Sequence, residues 1–141
     1  MNNTPKSVQR FKVWRNSMEL VVACYRLSAA LPAEEKFGLV SQIRRAATSV
    51  PANIAEGFGR WNGRDFARFL AIASGSLREL ETHLIIAGRL GYLSSGSTDS
   101  TLLAIDNLAR MLYRMRVRVM ENVNRSERAV QPRPKKNAQT G

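Results

Sequence analysis

Seven residues of one stretch, Phe66, Leu70, Ala73, Leu77, Leu80, Leu84 and Ala87, follow one another at alternating intervals of four and three. That spacing repeats every seven residues and keeps one stripe on one face of an α-helix, so the segment from about Arg64 to Leu90 has to bury that face against other helices. A strand would show a period of two, and no part of the chain does. Gly75 interrupts the segment, at a helix cost of roughly 1 kcal/mol relative to alanine, and is expected to let another backbone come close. Gly91 ends it.

Three further segments have helical period. The first runs from about Val13 to Leu31 and closes at Pro32, with Trp14, Met18, Val21, Tyr25 and Ser28 on one stripe. Leu20, Val22, Cys24 and Leu27 lie off it, and a helix apolar on more than one face is covered on more than one side, so a contact beyond its own bundle is expected. The second opens at Pro32-Ala33-Glu34-Glu35 and continues through Val40, Ile43, Ala47, Val50 and Ile54. Pro51 predicts a kink near Ser49 to Pro51 in one helix, and Gly57 and Gly59 suit a C-terminal stop. The fourth follows a polar loop, Ser94 to Ser100, takes Asp99 or Ser100 as N-cap, and carries Leu102, Ile105, Ala109, Leu112, Met115 or Arg116, and Val119. Arg110, Arg114 and Arg118 form a separate stripe on it. The fold class expected is all-α, an up-down-up-down antiparallel four-helix bundle over residues 13–123. Residues 1–12 form a basic polar N-terminal arm and 124–141 a disordered basic C-terminal tail.

This topology acts on the charge. The chain has 22 Lys+Arg against 11 Asp+Glu, a net +11, and arginine favours bidentate contact with phosphate or carboxylate. In an antiparallel bundle the start of helix 1, the link between helices 2 and 3 and the end of helix 4 share one pole. That half, both tails included, holds fifteen basic and five acidic residues, net +10, and the other half seven and six, net +1. A polyanionic partner at one pole is the resulting expectation.

Several chemistries fit poorly. Cys24 is the one cysteine, so there is no internal disulfide or thiolate metal set, and it lies among Val21, Val22, Ala23 and Tyr25, where a packed role suits it better than nucleophilic catalysis. His83 has Leu80 three residues before it, so the Glu-x-x-His pairs of metal-binding bundles are absent, although Glu79 lies one turn away. Gly57-Phe58-Gly59 lacks the strand and lysine of a phosphate loop. Catalytic residues, bound metal and cofactors are all expected to be none. An enzyme would need a site assembled between subunits, for instance from Glu56, Arg45 and His83. The N-terminus has no early apolar core of a signal peptide, and Leu20 to Tyr25 is far short of a membrane span, so a cytoplasmic protein without membrane contact is expected.

The candidate binding residues sit at the basic pole. Arg60-Trp61-Asn62-Gly63-Arg64, with Arg68 one turn on, places guanidinium groups beside an indole at a helix start; phosphates suit the arginines and the helix-start N–H groups, and Trp61 suits stacking on an unpaired base. Arg114, Arg118 and Arg15 join this set by topology. The structural alternative packs Trp61 over the bundle end and pairs the arginines with Glu56 and Asp65. Arg116 falls near the apolar face of helix 4, where it snorkels or pairs across an interface.

The run Gln42-Ile43-Arg44-Arg45-Ala46-Ala47-Thr48-Ser49-Val50-Pro51-Ala52-Asn53-Ile54-Ala55-Glu56-Gly57, followed by Arg60, resembles the four helix bundle protein family, whose founding members are encoded by intervening sequences in bacterial 23S ribosomal RNA genes. Val13-Trp14, Phe37-Gly38-Leu39 and the stretch from Phe66 to Gly91 agree, and the likeness covers about residues 11 to 120. The resemblance implies an antiparallel bundle assembled as a homopentamer and supplies no enzymatic reaction. A more distant similarity is to the accessory proteins of diversity-generating retroelements, basic pentameric bundles that work with a reverse transcriptase and RNA. Of the motif residues Arg44, Arg45, Ser49, Pro51, Asn53, Glu56 and Gly57, structural or interface roles are expected. Asn53 is placed to satisfy backbone groups freed by Pro51, and Glu56 to pair with Arg45, Arg60 or Arg64.

Two functions follow as expectations. The first is a non-enzymatic, homo-oligomeric accessory protein that binds RNA or another nucleic acid through its basic pole. The alternative is a scaffold that holds an acidic protein partner without nucleic-acid contact.

Overall fold

The computed structural model describes residues 7–134. Its helices are α1 (Lys12–Ser28), α2 (Leu39–Phe58), α3 (Gly63–Arg89) and α4 (Ser95–Val130), with single 3-10 turns at Val8–Arg10 and Ala33–Glu35 and no strand among the described residues. The heptad stripe lies on α3 as the spacing requires: Leu70, Ala73, Leu77, Leu80 and Ala87 have no exposed surface and Leu84 almost none. Around this stripe close Ile43, Val50 and Ile54 of α2, Ile105, Leu108 and Leu112 of α4, and Leu20 and Cys24 of α1. Consecutive helices pack side by side and α4 closes on α1, while the backbones of the diagonal pairs stay apart across the shared core, so the four described helices form a closed antiparallel square.

Side chains mark the two ends. At one, the Phe11 ring meets Phe58 edge-on at 5.1 Å, and Gly63 lies against Val119 and Val123. The start of α1, the α2–α3 link and the distal part of α4 therefore meet there. At the other end the Tyr92 hydroxyl donates to Glu35 at 3.4 Å. Gly91 adopts φ +80° and ends α3, with the Tyr92 N–H returning to the Ala87 carbonyl at 3.0 Å. That is the left-handed helix stop for which glycine is favoured.

The α2–α3 contact is unusually close because of Gly57. A Cβ there would lie 2.8 Å from Phe69 Cβ, 2.9 Å from the Phe66 ring and 3.2 Å from the Phe66 carbonyl oxygen. Further along, the hydroxyls of Ser49 and Ser76 join the same two helices at 2.8 Å. Gly75 is the reverse case, since among the described residues no atom beyond its own stretch of helix lies within 4 Å of where its Cβ would be. Gly57→Ala should therefore destabilise the fold by about 1–2 kcal/mol, overpacking outweighing the gain in helix propensity. Gly75→Ala should stabilise an isolated chain by up to about 1 kcal/mol. Urea unfolding of both variants checks the opposite signs.

Several expectations need correction. The stripe Trp14, Met18, Val21, Tyr25 and Ser28 is not the buried face of α1: Met18 and Tyr25 are about two-fifths exposed, and the core side is Val13, Ser17, Leu20, Cys24 and Ser28. Two apolar stripes of similar length run along this helix, and the one with small Ser17 and Cys24 permits the closer approach. The second helix does not start at Pro32. A 3-10 turn comes first, and Glu35 accepts from the Leu39 N–H at 2.9 Å to cap α2 from outside. Gly57 is an interior helical residue rather than part of a stop, and Gly59, at φ −75°, is not left-handed. The fourth helix opens at Ser95 with Ser94, not Asp99 or Ser100, as its cap; the Ser97 N–H donates to Ser94 Oγ at 3.3 Å. Among the described residues no other helix backbone approaches Gly75.

The expected domain limits move too. Helix α4 continues through Val130, so the predicted disordered tail from 124 begins as helix, and only 131–134 of its described part lie beyond. The predicted arm is partly ordered, with Val8–Arg10 in a 3-10 turn and Phe11 on Phe58. Residues 1–6 and 135–141 lie outside the described residues.

Candidate nucleic-acid interface

The tight link after α2 is held by Asn62, whose side chain accepts from the Asp65 N–H at 2.8 Å and starts α3. Polar N-caps of this kind contribute about 1 kcal/mol. The link leaves Trp61 fully exposed, so it does not pack over the bundle end. The arginines around it do have partners. Arg60 donates to Glu56 at 2.7 Å and stacks over the Phe69 ring at 4.9 Å. Arg68 covers the same ring at 4.6 Å and lies 3.8 Å from Asp65. Arg64 forms a fork on Glu127, with three hydrogen bonds of 2.7 to 3.0 Å, which ties α3 to the end of α4.

The remaining candidates divide. Arg15 is an anchor: its Nη1 donates to the carbonyls of Gln9 and Arg10 at 3.0 and 2.7 Å and fastens the turn before α1. Arg114 and Arg118 are exposed, make no ion pair among the described residues, and line a groove of about 600 Å³ between the start of α1 and α4. Arg116 is half-buried and lies 6.0 Å from the Tyr113 ring, which accounts for its place near the apolar face. The groove leaves no mark in the sequence pattern. Periodicity reports which residues share a helix face, not where one helix outruns its neighbour.

The motif residues of α2 mostly serve packing. Arg44 crosses to α1, donating to Ser28 Oγ at 2.9 Å and stacking over Tyr25 at 4.6 Å. Asn53 donates to the carbonyl and hydroxyl of Ser49, at 2.8 and 2.9 Å, rather than to the Ala47 carbonyl that loses its donor at Pro51. Pro51 is buried inside one continuous helix. Glu56 takes Arg60 as its partner, while Arg45 is exposed without an ion pair among the described residues.

Cys24 has no exposed surface, and burial pushes its thiol up to about 12, which leaves the nucleophilic thiolate unpopulated at neutral pH. Glu56 lies level with Phe66 and Phe69, whereas His83 lies about 20 Å further along α3, so they do not meet within one chain. Among the described residues no group of three or more His, Cys, Asp or Glu side chains is placed to hold a metal ion. No helix among them is long and apolar enough to cross a membrane.

Comparison with known proteins agrees with this architecture. A crystal structure of a protein with unknown function from the S23 ribosomal protein family of Bacteroides thetaiotaomicron VPI-5482 superposes with a TM-score of 0.68 at 27% identity, covering 73% of this chain and 96% of that one. No curated protein matches the chain. The model of the 23S rRNA-intervening sequence protein family matches residues 9–114, the bundle from its first turn to the middle of α4. With four helices packed in this order and three quarters of its length matched, the chain belongs to the 23S rRNA-intervening sequence protein family.

Proposed function

We propose that this protein is a non-enzymatic, cytoplasmic, homo-oligomeric bundle that binds RNA or another nucleic acid through the basic end. The observation that carries the proposal is Trp61, an indole wholly in solvent, flanked by Arg60 and Arg64 at the end shared by the start of α1 and the distal part of α4. An exposed aromatic ring among cations is the arrangement on which unpaired bases stack. Over the described residues that half carries twelve basic and five acidic side chains, and the other half seven and six.

The ion pairs at this end do not oppose the reading. Arg60, Arg64 and Arg68 have side chains about two-fifths to three-fifths exposed, and exposed pairs contribute only about 0–1 kcal/mol, so exchanging a carboxylate for a phosphate costs little. Oligomerisation, with the pentamer implied by the family resemblance, would repeat the end around a symmetry axis and add avidity. Met18, Val22 and Tyr25, an exposed apolar stripe on α1, are the surface that such assembly would cover.

Titration with single-stranded RNA at low salt tests this, read by intrinsic fluorescence and filter retention. RNA should quench the tryptophan signal, and Trp61→Ala should abolish most of the quenching and weaken binding roughly tenfold, the worth of one stacked base. An unchanged signal and affinity would overturn the role of Trp61. Capture of an acidic protein that survives nuclease treatment, with no RNA retained, would instead establish the scaffold alternative.

A further inference from the structure

Resting on the nucleic-acid reading above, we infer that the groove between α1 and α4 receives an unstacked base of a single strand, with the adjoining phosphates held by Lys12, Arg114 and Arg118. The groove arises from unequal helix lengths. Helix α1 starts at Lys12, and the residues before it turn aside to lay Phe11 on Phe58 of α2. Helix α4 runs on to Val130, so its face bearing Met115 and Val119 loses the α1 neighbour that covers the earlier turns. Helix α3 supports that face from the other side, at Gly63 and Phe66.

The space left has a definite chemistry. Phe11, Phe66, Met111, Met115 and Val119 make an apolar floor, and the Asn16 amide donates to Met111 Sδ at 3.5 Å at the α1–α4 seam. Lys12 on one wall and Arg114 and Arg118 on the other form a cationic rim, and among the described residues no carboxylate lines the groove. That separates it from the α2–α3 link, where Arg60, Arg64 and Arg68 all have acidic partners. An apolar floor under a cationic rim selects a group with a flat apolar body and an attached anion, and a base with its phosphates has that form. Asn122, also in the lining, offers both a donor and an acceptor to a base edge. The volume, about 600 Å³, lies within the range of small-ligand sites.

The ends of the chain are poor occupants. Residues 135–141 include Lys135 and Lys136, and residues 1–6 include Lys6, with no acidic residue in either segment, so both carry the same sign as the rim. A duplex keeps its bases stacked and cannot offer one to the floor. The groove therefore predicts a preference for single strands that charge alone would not produce.

The test compares a labelled twelve-nucleotide RNA, single-stranded and as a duplex, by anisotropy with the intact oligomer at fixed salt. The wild type should bind the single strand at least tenfold more tightly. Val119→Trp, which fills the groove, should bring single-strand affinity down to that of the duplex, with helicity and oligomer size measured alongside. Asn122→Asp, an exposed position that leaves the core untouched, should weaken single-strand binding more than duplex binding. Equal affinity of the wild type for both forms, or an undiminished preference in both variants, would overturn the inference and leave the basic-end reading standing. Failure of either RNA form to bind at low salt would defeat the basic-end reading, and this inference with it.

Discussion

Leu77→Ala should lower the unfolding free energy by about 3 kcal/mol, within the 2–5 kcal/mol typical of leucine truncation in a closed core. Leu77 has no exposed surface and sits mid-stripe on α3, with α2 and α4 packed on either side of that helix. Removing its three terminal carbons forfeits their transfer energy and leaves a void that rigid neighbours fill only in part. Domains of this size are stable by roughly 5–15 kcal/mol, so one such change removes a large fraction of the total. Ile86→Ala on the same helix is the contrast: Ile86 is 42% exposed, and its truncation should cost an isolated chain under about 1 kcal/mol. Urea unfolding with sedimentation analysis separates the two. The leucine variant should lose about 2 M in midpoint at a typical slope, and the isoleucine variant should keep its midpoint. A large loss for Ile86→Ala accompanied by dissociation would place that side chain in a subunit interface.

The parts of the fold legible in the sequence are those where one pattern dominates. The α3 stripe has a single heptad phase, and six of its seven residues are buried, with Phe66 partly so and the small Ala67 and Ser76 buried beside them. On α1 two apolar stripes compete, and periodicity alone cannot tell a core of Ser17 and Cys24 from an outer face of Met18 and Tyr25. The distal part of α4, Asn124 to Val130, is polar and has no apolar stripe, yet it remains helical because extending an existing helix requires no new nucleus and the Arg64–Glu127 fork ties it to α3. At the candidate site, the cations of the basic end were legible, since composition and topology suffice to place them. Two of their pairings, Arg60 with Glu56 and Arg68 with Asp65, are among those the sequence offers, but the fork of Arg64 on Glu127 is not, because it depends on how far α4 extends. Glu127 is 63 residues from Arg64 and belongs to the stretch expected to be tail.

Those pairings shift the expected weight of binding toward α4. Arg60, Arg64 and Arg68 are each offset by a carboxylate, whereas Arg114 and Arg118 are exposed without one among the described residues. Replacing both α4 residues by glutamate should weaken RNA binding on the order of 100-fold, at about 1.5 kcal/mol for each charged hydrogen bond to phosphate that is removed. The salt dependence should fall as well, since each phosphate neutralised on a single strand contributes about 0.7 to the slope of log affinity against log salt. A matched control exists on the other half of the chain, where Arg26 and Arg89 occupy the last turns of α1 and α3 and are also exposed. Reversing them changes the net charge by the same amount. A protein that bound RNA only through its overall +11 would respond equally to either pair.

The most direct measurement is therefore RNA affinity across a salt series for three proteins: the wild type, Arg114→Glu with Arg118→Glu, and Arg26→Glu with Arg89→Glu. With helicity and oligomer size checked as unchanged, the α4 pair should lose affinity on the order of 100-fold with a shallower salt slope, while the control pair stays within a few-fold of wild type. Equal losses from both pairs, or no RNA binding by the wild type at low salt, would contradict a nucleic-acid interface at the basic end.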